Sequence, residues 1–331
     1  MNKRINNMPT GISAVLKNLV LRFLFLASLT VVSVSASRTA SAQEVAWGFD
    51  SGDAYVVEFD QETIVTTEFN LIERKIGSRV QLTMGWNVTA VSPDRVATID
   101  QTIQRIVMTL YAPQVGELRA GQEAQATKIV ADTDLAEADT KVARNMLKQI
   151  KPLINANFTV TMQPNGAIDS VVASPETLET IRNAPGSMQM RELLTPEGLK
   201  QIFGQSIIVL PKSEFKADET WTGTREATTD LGAFTISDQF TFAGDSEFEG
   251  ETLTTISVSS ESTLTPKPDS DPVEFTGTSS TGKIYFDPAA KIFVASEFRN
   301  EYKTSKPVRE TAINTNTIST AKMRIKKNDS Q

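Results

Sequence analysis

The chain has neither cysteine nor histidine in 331 residues, and each absence removes a class of chemistry. Without cysteine there is no disulfide, no thiol nucleophile, no thiolate metal site and no cysteine to carry a lipid anchor behind an export leader. Stability must then come from the core alone. Without histidine there is no Ser-His-Asp hydrolase, no usual zinc centre and no imidazole proton shuttle near neutral pH. Tryptophan and tyrosine are scarce, at three and four residues. The phosphate-cradling G-x-x-x-x-G-K-[ST], the dinucleotide G-x-G-x-x-G and the nucleophile-elbow G-x-S-x-G are all missing. No cofactor and no metal is implied, and any catalysis would rest on carboxylates, Lys, Tyr or Ser.

What is present begins with the first 42 residues. Lys3, Arg4, Lys17 and Arg22 precede an apolar run from Phe23 to Val34, followed by Ala40-Ser41-Ala42. A basic lead, about a dozen apolar residues and a small-x-small site describe a signal peptide cleaved after Ala42, which predicts a periplasmic or secreted protein. The run is shorter than the ~20 residues a spanning helix needs, and no segment after it is long and apolar enough to cross a membrane. The leader holds five basic residues and no acid, so its removal takes the formal net charge from −7 to −12. An acidic mature chain of this kind argues against nucleic acid or anionic lipid held on a broad basic surface. Lys322, Arg324, Lys326 and Lys327 form one basic cluster near the C-terminus, read as a frayed, solvated end of the chain, with a disordered tail expected over 326–331.

The pattern after the leader alternates. Val80, Leu82, Met84, Trp86 and Val88 occupy every second position, with Gln81, Thr83, Asn87 and Thr89 between them, which is a strand with one wet face. Phe234, Ile236, Phe240 and Phe242 repeat the pattern, as do Ile292, Val294, Phe298 and Tyr302. Continuous apolar runs would mark buried parallel strands; alternation predicts an antiparallel sheet. Several runs continue for about 12 residues, near 40 Å, which suits a strongly curved sheet. Pro164-Asn165-Gly166 predicts a hairpin over 157–172, and Asp245 to Glu251 and Pro266 to Pro272 read as exposed loops.

Period changes mid-chain. Val142, Met146, Ile150 and Leu153 fall on one face of a helix from about Glu137 to Pro152. Ser174-Pro175-Glu176 and Thr195-Pro196-Glu197 each supply an N-cap, a first-turn proline and an acid, the second closed by Gly204. The expected organisation is an N-terminal β portion at 43–112, a helical segment at 113–205 with one hairpin, and a C-terminal β portion at 206–325. The fold class is mainly β (α+β): a long curved antiparallel sheet or half-barrel with short helices packed on it.

Candidate sites are few. Glu58, Asp60 and Glu62 share a strand face about 7 Å apart, within the range of paired glycosidase carboxylates, yet a solvated face explains them with fewer assumptions. Asp132, Asp134, Glu137 and Asp139 could offer oxygen ligands to calcium but lack the D-x-D-x-D-G loop, so interaction with a helix N-terminus is preferred. Alternating Asp245, Glu247, Glu249 and Glu251 read as solubilising acids near a hairpin tip. Asp238 falls in register with Phe234, Ile236, Phe240 and Phe242, and a bulge or sheet edge is expected to expose it. Trp86 reads as core, while Trp47 and Trp221 read as fixing strand starts.

Four local phrases carry a resemblance: Asn157-Phe158-Thr159-Val160 with its Asn165-Gly166 turn, Leu210-Pro211, Asp218-Glu219-Thr220-Trp221, and Gly282-Lys283-Ile284-Tyr285-Phe286-Asp287. Together they resemble a family of exported bacterial β-rich proteins built around a domain of unknown function. In that family a glycine is usual in the turns where this chain has Asp218 and Ala289-Ala290-Lys291. The resemblance implies fold and export and transfers no catalytic residue. More distantly, the architecture is similar to periplasmic lipoprotein-carrier half-barrels, which implies nothing about role by itself. The expected function is a soluble, non-enzymatic exported protein whose partner is an apolar or lipid-type ligand or an envelope component, with Leu82, Met84, Trp86, Phe240 and Phe242 as the lining. The alternative is a carboxylate-based hydrolase acting on envelope polysaccharide.

Overall fold

The computed structural model describes residues 43–69, 72–113, 126–134, 140–183, 209–211, 214–228, 232–266, 273–308 and 311–328. The leader at 1–42, the connection after residue 113, the helix expected from Thr195 and the loop expected after Pro266 lie outside these residues.

The alternating segments become fourteen strands. They are β1 (Gln43–Glu44), β2 (Ala54–Phe69), β3 (Ile72–Val91), β4 (Ala97–Pro113), β5 (Ala126–Asp132), β6 (Asn157–Met162), β7 (Ile168–Ala173), β8 (Glu214–Phe215), β9 (Thr220–Thr228), β10 (Gly232–Phe248), β11 (Glu251–Pro266), β12 (Glu274–Asp287), β13 (Ile292–Val308) and β14 (Thr311–Lys327). Twelve of them form one antiparallel sheet in the order β7-β6-β4-β3-β2-β14-β13-β12-β11-β10-β9, with β5 also on β4. Sequence neighbours pair nearly throughout, because short turns join long strands. The exceptions are β4 with β6, β1 with β8 and β2 with β14, and the last of these fuses the two β portions into one sheet.

The sheet does not close, since β7 and β9 remain edges. It nevertheless curls, because Val171 of β7 and Trp221 of β9 belong to one apolar cluster with Val160, Ile99, Trp86, Val57, Ile325, Phe293, Ile284, Ile256 and Phe240 from the strands between. This is the expected mainly β half-barrel. Register places Tyr55, Trp86 and Gln101 on one side, and Val57, Met84 and Ile103 beside them on that same side, which is here called the inner face.

Residues 45–53 cross one end of this face. Their backbone is tied to three distant elements by four hydrogen bonds: the Trp47 N–H donates to the Pro164 carbonyl at 2.8 Å, Gly48 to Lys291 at 2.7 Å, Gly52 to Val88 at 2.8 Å, and Val88 donates back to Asp53 at 2.8 Å. β1 pairs with β8. Val45, Trp47 and Phe49 are buried. The Trp47 ring lies 4.9 Å from that of Phe293, 5.4 Å from Phe49 and 6.3 Å from Trp86, centroid to centroid, within the range where aromatic pairs attract beyond their burial. Glycine is required at position 48, where a Cβ would stand 2.5 Å from the Lys291 Cβ.

The two described helices cap the hairpin side. Helix α1 (Lys141–Ile150) starts at Thr140, whose hydroxyl accepts from the Ala143 N–H, and its buried residues are Ala143, Met146, Leu147 and Ile150. The expected face is thus turned by one position: Val142 is exposed, because Ala143 and Leu147 complete the stripe that meets Ile106, Met108, Leu110 and Ala131. Helix α2 (Pro175–Asn183) follows Ser174, which accepts from the Thr177 N–H at 3.1 Å as an N-cap.

Two expected irregular segments are strand. The loop expected over Asp245 to Glu251 contracts to a two-residue turn at Glu249-Gly250, where φ is 52° and 88°, the paired positive values that match strand twist in a tight hairpin. β14 continues through Lys327, two residues into the expected tail, held by pairing with Val56 and Tyr55. Asp218 and Lys291, at the turns where the resembled family carries glycine, have φ of 60° and 54°. The conformation is kept although the glycines are not.

Replacing Trp47 by alanine is expected to cost about 3–5 kcal/mol, the range for emptying a buried tryptophan site. Urea unfolding followed by circular dichroism measures it.

Candidate functional site

The inner face has three zones, which register defines row by row. At the end crossed by residues 45–53 the packing is dry. Trp86, Phe240 and Phe242 are buried there, at 3%, 0% and 2% exposure, with Trp221 and Phe240 stacked at 5.2 Å and Phe215 against Phe242 at 5.8 Å. Next comes a strip of large apolar side chains that are only partly buried. Phe59, Met84 and Ile103 pack against the dry cluster, and Leu82, Val80 and Ile76 pack against the cluster beneath α1. The five predicted lining residues therefore share one face but divide: Trp86, Phe240 and Phe242 are core, while Leu82 and Met84 border the strip. Leu82 and Phe242 lie in one ladder row, through Phe59, Met323, Ser296, Ile284 and Ile256, with the breadth of the sheet between them.

The third zone is polar. Asp238 pairs with Ser260, Ser260 with Ser280, Ser280 with Asn300, Asn300 with Ser319, Ser319 with Thr63, and Thr63 with Ser78. Seven consecutive strands thus present a polar residue at one level of the inner face. Five of the seven are buried: Asp238, Ser260, Ser319, Thr63 and Ser78. Neighbours bond along the row. Ser260 donates to Asp238, Ser280 to Asn300, and Thr63 to Ser319 at 3.0 Å, while Gln61 donates to Ser319 at 3.2 Å. The Ser78 hydroxyl, 5% exposed, has no hydrogen-bond partner.

The buried Asp238 corrects the expectation that it would be exposed. The β10 bulge falls at Phe242/Gly244 and leaves Asp238 in register, and the Ser260 hydroxyl meets the need of a buried carboxylate for a donor. The row as a whole was missed. Its signal in the sequence is a polar residue within an apolar alternation, as at Ser78, Ser260 or Asn300, although β11 and β13 carry further such breaks at Ser262 and Ser296. Only the register of seven strands shows that those breaks align.

The other candidate carboxylates lie elsewhere. Glu58, Asp60 and Glu62 project from the opposite face of β2. Asp60 is held by Arg79 and by Gln81 at 3.2 Å, and Glu58 meets Lys326 at 3.3 Å. Arg105 binds both Asp132 and Asp134, so a cation already sits between the two described members of the calcium candidate, whose Glu137 and Asp139 lie outside the described residues. Among the described residues no group of three or more such side chains could hold a metal ion. Asp245 and Glu247 accept from Thr254 and Thr252 across the hairpin.

Two carboxyl groups are tuned by ion pairs to β14. Burial alone would raise Asp53, but hydrogen bonds from Lys327, the Asp50 N–H and the Tyr55 hydroxyl outweigh it and hold the group below its usual range. Glu297 likewise resists burial, through Arg324 and Lys322. Both tie β14 to its neighbours; neither faces the strip.

An open antiparallel half-barrel with a dry end, an apolar strip and a polar row is the class of protein these observations define. Within that class, the chain belongs to the DUF6263 family, a family of unknown function whose model matches residues 113–289, more than half of the chain. All four phrases that carried the resemblance fall inside that span. No curated protein matches. Among solved structures, a lipovitellin structure described by its lipid-protein interactions is similar at 12% identity and a TM-score of 0.42, covering 86% of this chain and 26% of that one. The chain thus spans about a quarter of the lipovitellin chain. An outer membrane channel from Pseudomonas putida F1 is similar at 9% identity and 0.21, covering 89% and 100%. A DUF1329 family protein from Desulfovibrio piger is similar at 8% identity and 0.13, covering 85% and 88%. No functional reading rests on likenesses of this size. Among the described residues, no helix is long and apolar enough to cross a membrane.

Gln101 gives this zone plan a direct check. It pairs with Trp86 on one side and Phe158 on the other, is 1% exposed, and neither atom of its amide has a partner. An unpaired buried polar group costs about 1–3 kcal/mol. Gln101→Met, of similar volume, is expected to raise the thermal midpoint, as read by differential scanning calorimetry; a lowered midpoint would mean that the amide is held.

Proposed function

We propose that this is an exported, non-enzymatic binding protein that holds an apolar or lipid-type ligand, alone or as part of an envelope component, along the inner face of its half-barrel. The observation that carries the reading is the strip. Phe59, Leu82, Met84, Ile103 and Val80 are large apolar residues on adjacent positions of β2, β3 and β4, and they stay partly exposed between two clusters that are well packed. Contiguous apolar surface in a concave setting marks a binding groove more often than a packing fault. Leu82 and Met84 are then the residues that touch ligand, whereas Trp86, Phe240 and Phe242 form the floor that keeps the groove rigid. The basic and apolar leader with its Ala40-Ser41-Ala42 site supports export, and the acidic mature chain supports solubility.

The hydrolase alternative would use Glu58, Asp60 and Glu62, which lie on the opposite face, with Glu58 and Asp60 in ion pairs. No observation favours it.

Native mass spectrometry of protein purified without detergent is expected to show an added mass that organic extraction removes. The extracted protein should take up dansyl-undecanoic acid, and Leu82→Asp should weaken that uptake about tenfold, the equivalent of about 1.4 kcal/mol. A protein of ligand-free mass that takes up no probe while keeping its circular dichroism would overturn the reading.

A further inference from the structure

We propose that the tip of the β2–β3 hairpin docks the protein on an anionic lipid bilayer, with Phe69 and Ile72 entering the membrane surface and Arg74 meeting lipid phosphates. Docking of this kind goes beyond the ligand reading and does not require the inner face to hold anything.

Exposure singles out this tip. Among the described residues four large hydrophobic side chains are exposed: Phe69 at 37%, Ile72 at 58%, Val142 and Val172. Val142 and Val172 stand singly on α1 and β7, whereas Phe69 and Ile72 oppose each other as the last described pair before the hairpin turn. β2 starts beside the crossing of residues 45–53 and ends at this pair, so about 50 Å of strand separates the tip from the sealed end.

Alternation sorts the charges around the tip. On the inner side, Phe69 and Ile72 are level with Ile313 and Lys306, and the next level holds Thr67, Arg74, Thr315 and Thr304. Those eight positions carry three apolar residues, two cations and no acid. The acids nearest the tip, Glu68 and Glu73, oppose each other on the outer side, with Asn314 and Ser305 beside them. Arg74 is exposed and lies about 7 Å behind Ile72 along β3. Interfacial apolar groups sink about 5–10 Å into the boundary between headgroups and acyl chains. With the inner side turned to the membrane, Arg74 therefore stands at the depth of the phosphates, while Glu68 and Glu73 face water.

Size and charge favour a bilayer over a protein. Two opposed side chains cannot supply the ~800 Å² per partner of a standard protein interface, but each is worth about tenfold or more in partitioning out of water. The chain is acidic without its leader, yet salt screens charge beyond about 8–10 Å, so the cations on the inner side of the tip act on the membrane before the distant acids do.

Residues 43–331 contain every described residue and lack the basic leader, so they are used for flotation with two kinds of vesicle. One is phosphatidylcholine alone; the other has an equal part of phosphatidylglycerol. The mixed vesicles are expected to bind about tenfold more strongly. Phe69→Ser with Ile72→Ser should weaken binding to both about tenfold or more. Arg74→Glu should cost about tenfold on the mixed vesicles and leave phosphatidylcholine within about twofold. Because the chain has no cysteine, Ile72→Cys and the control Val172→Cys each carry a single environment-sensitive dye. Its emission should move to the blue on mixed vesicles at position 72 and stay unchanged at 172. Failure to float with either vesicle, as a protein partner for the tip predicts, would overturn the proposal. So would a serine double variant that floats like the parent, or an unshifted dye at position 72. Acyl-probe uptake is read without vesicles, so either outcome here leaves the ligand reading to its own test.

Discussion

The contact on which the rest of the structure depends is the crossing of residues 45–53 over one end of the curled sheet. An open sheet of long strands has two edges and an inner face to hide, and no disulfide is available to fix its curvature. This segment supplies the constraint by other means. Through hydrogen bonds to Pro164, Lys291 and Val88, it joins the β6–β7 hairpin, the β12–β13 turn and β3, which lie far apart in the strand order. Trp47 fills the space between them against Phe293 and Trp86. Curvature is thereby set at one end and transmitted along strands of up to 20 residues.

Sealing one end explains the gradient along the inner face. Near the crossing, side chains from both edges of the sheet meet and exclude water. Farther along, α1 packs over Ile106, Met108 and Leu110 of β4, while toward the turn that joins them β13 and β14 become half-exposed on both faces. Apolar residues there would be a liability, so the sequence shifts to Ser, Thr and Asn. The strip and the polar row lie at this transition. A half-barrel sealed along its whole length would have no groove, and one with no sealed end would have no rigid floor. Between these extremes the fold presents apolar and polar side chains side by side on one face.

Much of this was legible in the residues. Alternation at Val80 to Val88 and Phe234 to Phe242 reports a strand with two unlike faces whatever its partners are. The Asn165-Gly166 turn and the Ser174-Pro175-Glu176 cap were readable because such signals are local. Features that depend on pairing were not. Nothing in β2 or β14 alone says that the first and last long strands meet, and the alignment of Ser78 with Asp238 exists only through the registers between them. The crossing segment was missed for a similar reason: Val45, Trp47 and Phe49 alternate like a strand, but most of their partners are turns and core rather than a ladder. Asp238 was misjudged because a carboxylate among phenylalanines is costly in isolation, and its remedy, Ser260, is 22 residues away. For the candidate site, residue type picked out apolar residues that share one face, whereas depth, which the sequence does not carry, separates the partly buried Leu82 and Met84 from the buried Trp86, Phe240 and Phe242.

The curvature of the sheet requires residues 45–53 to be integral to the fold, and amide hydrogen exchange resolved by residue measures this directly. Slow exchange at Trp47, Gly48 and Gly52, with protection comparable to Val88 and Val160 in the strands beneath, is the predicted result. Rapid exchange at those three amides while β3 and β6 stay protected would contradict it, since the sheet would then hold its curvature without the segment described as setting it.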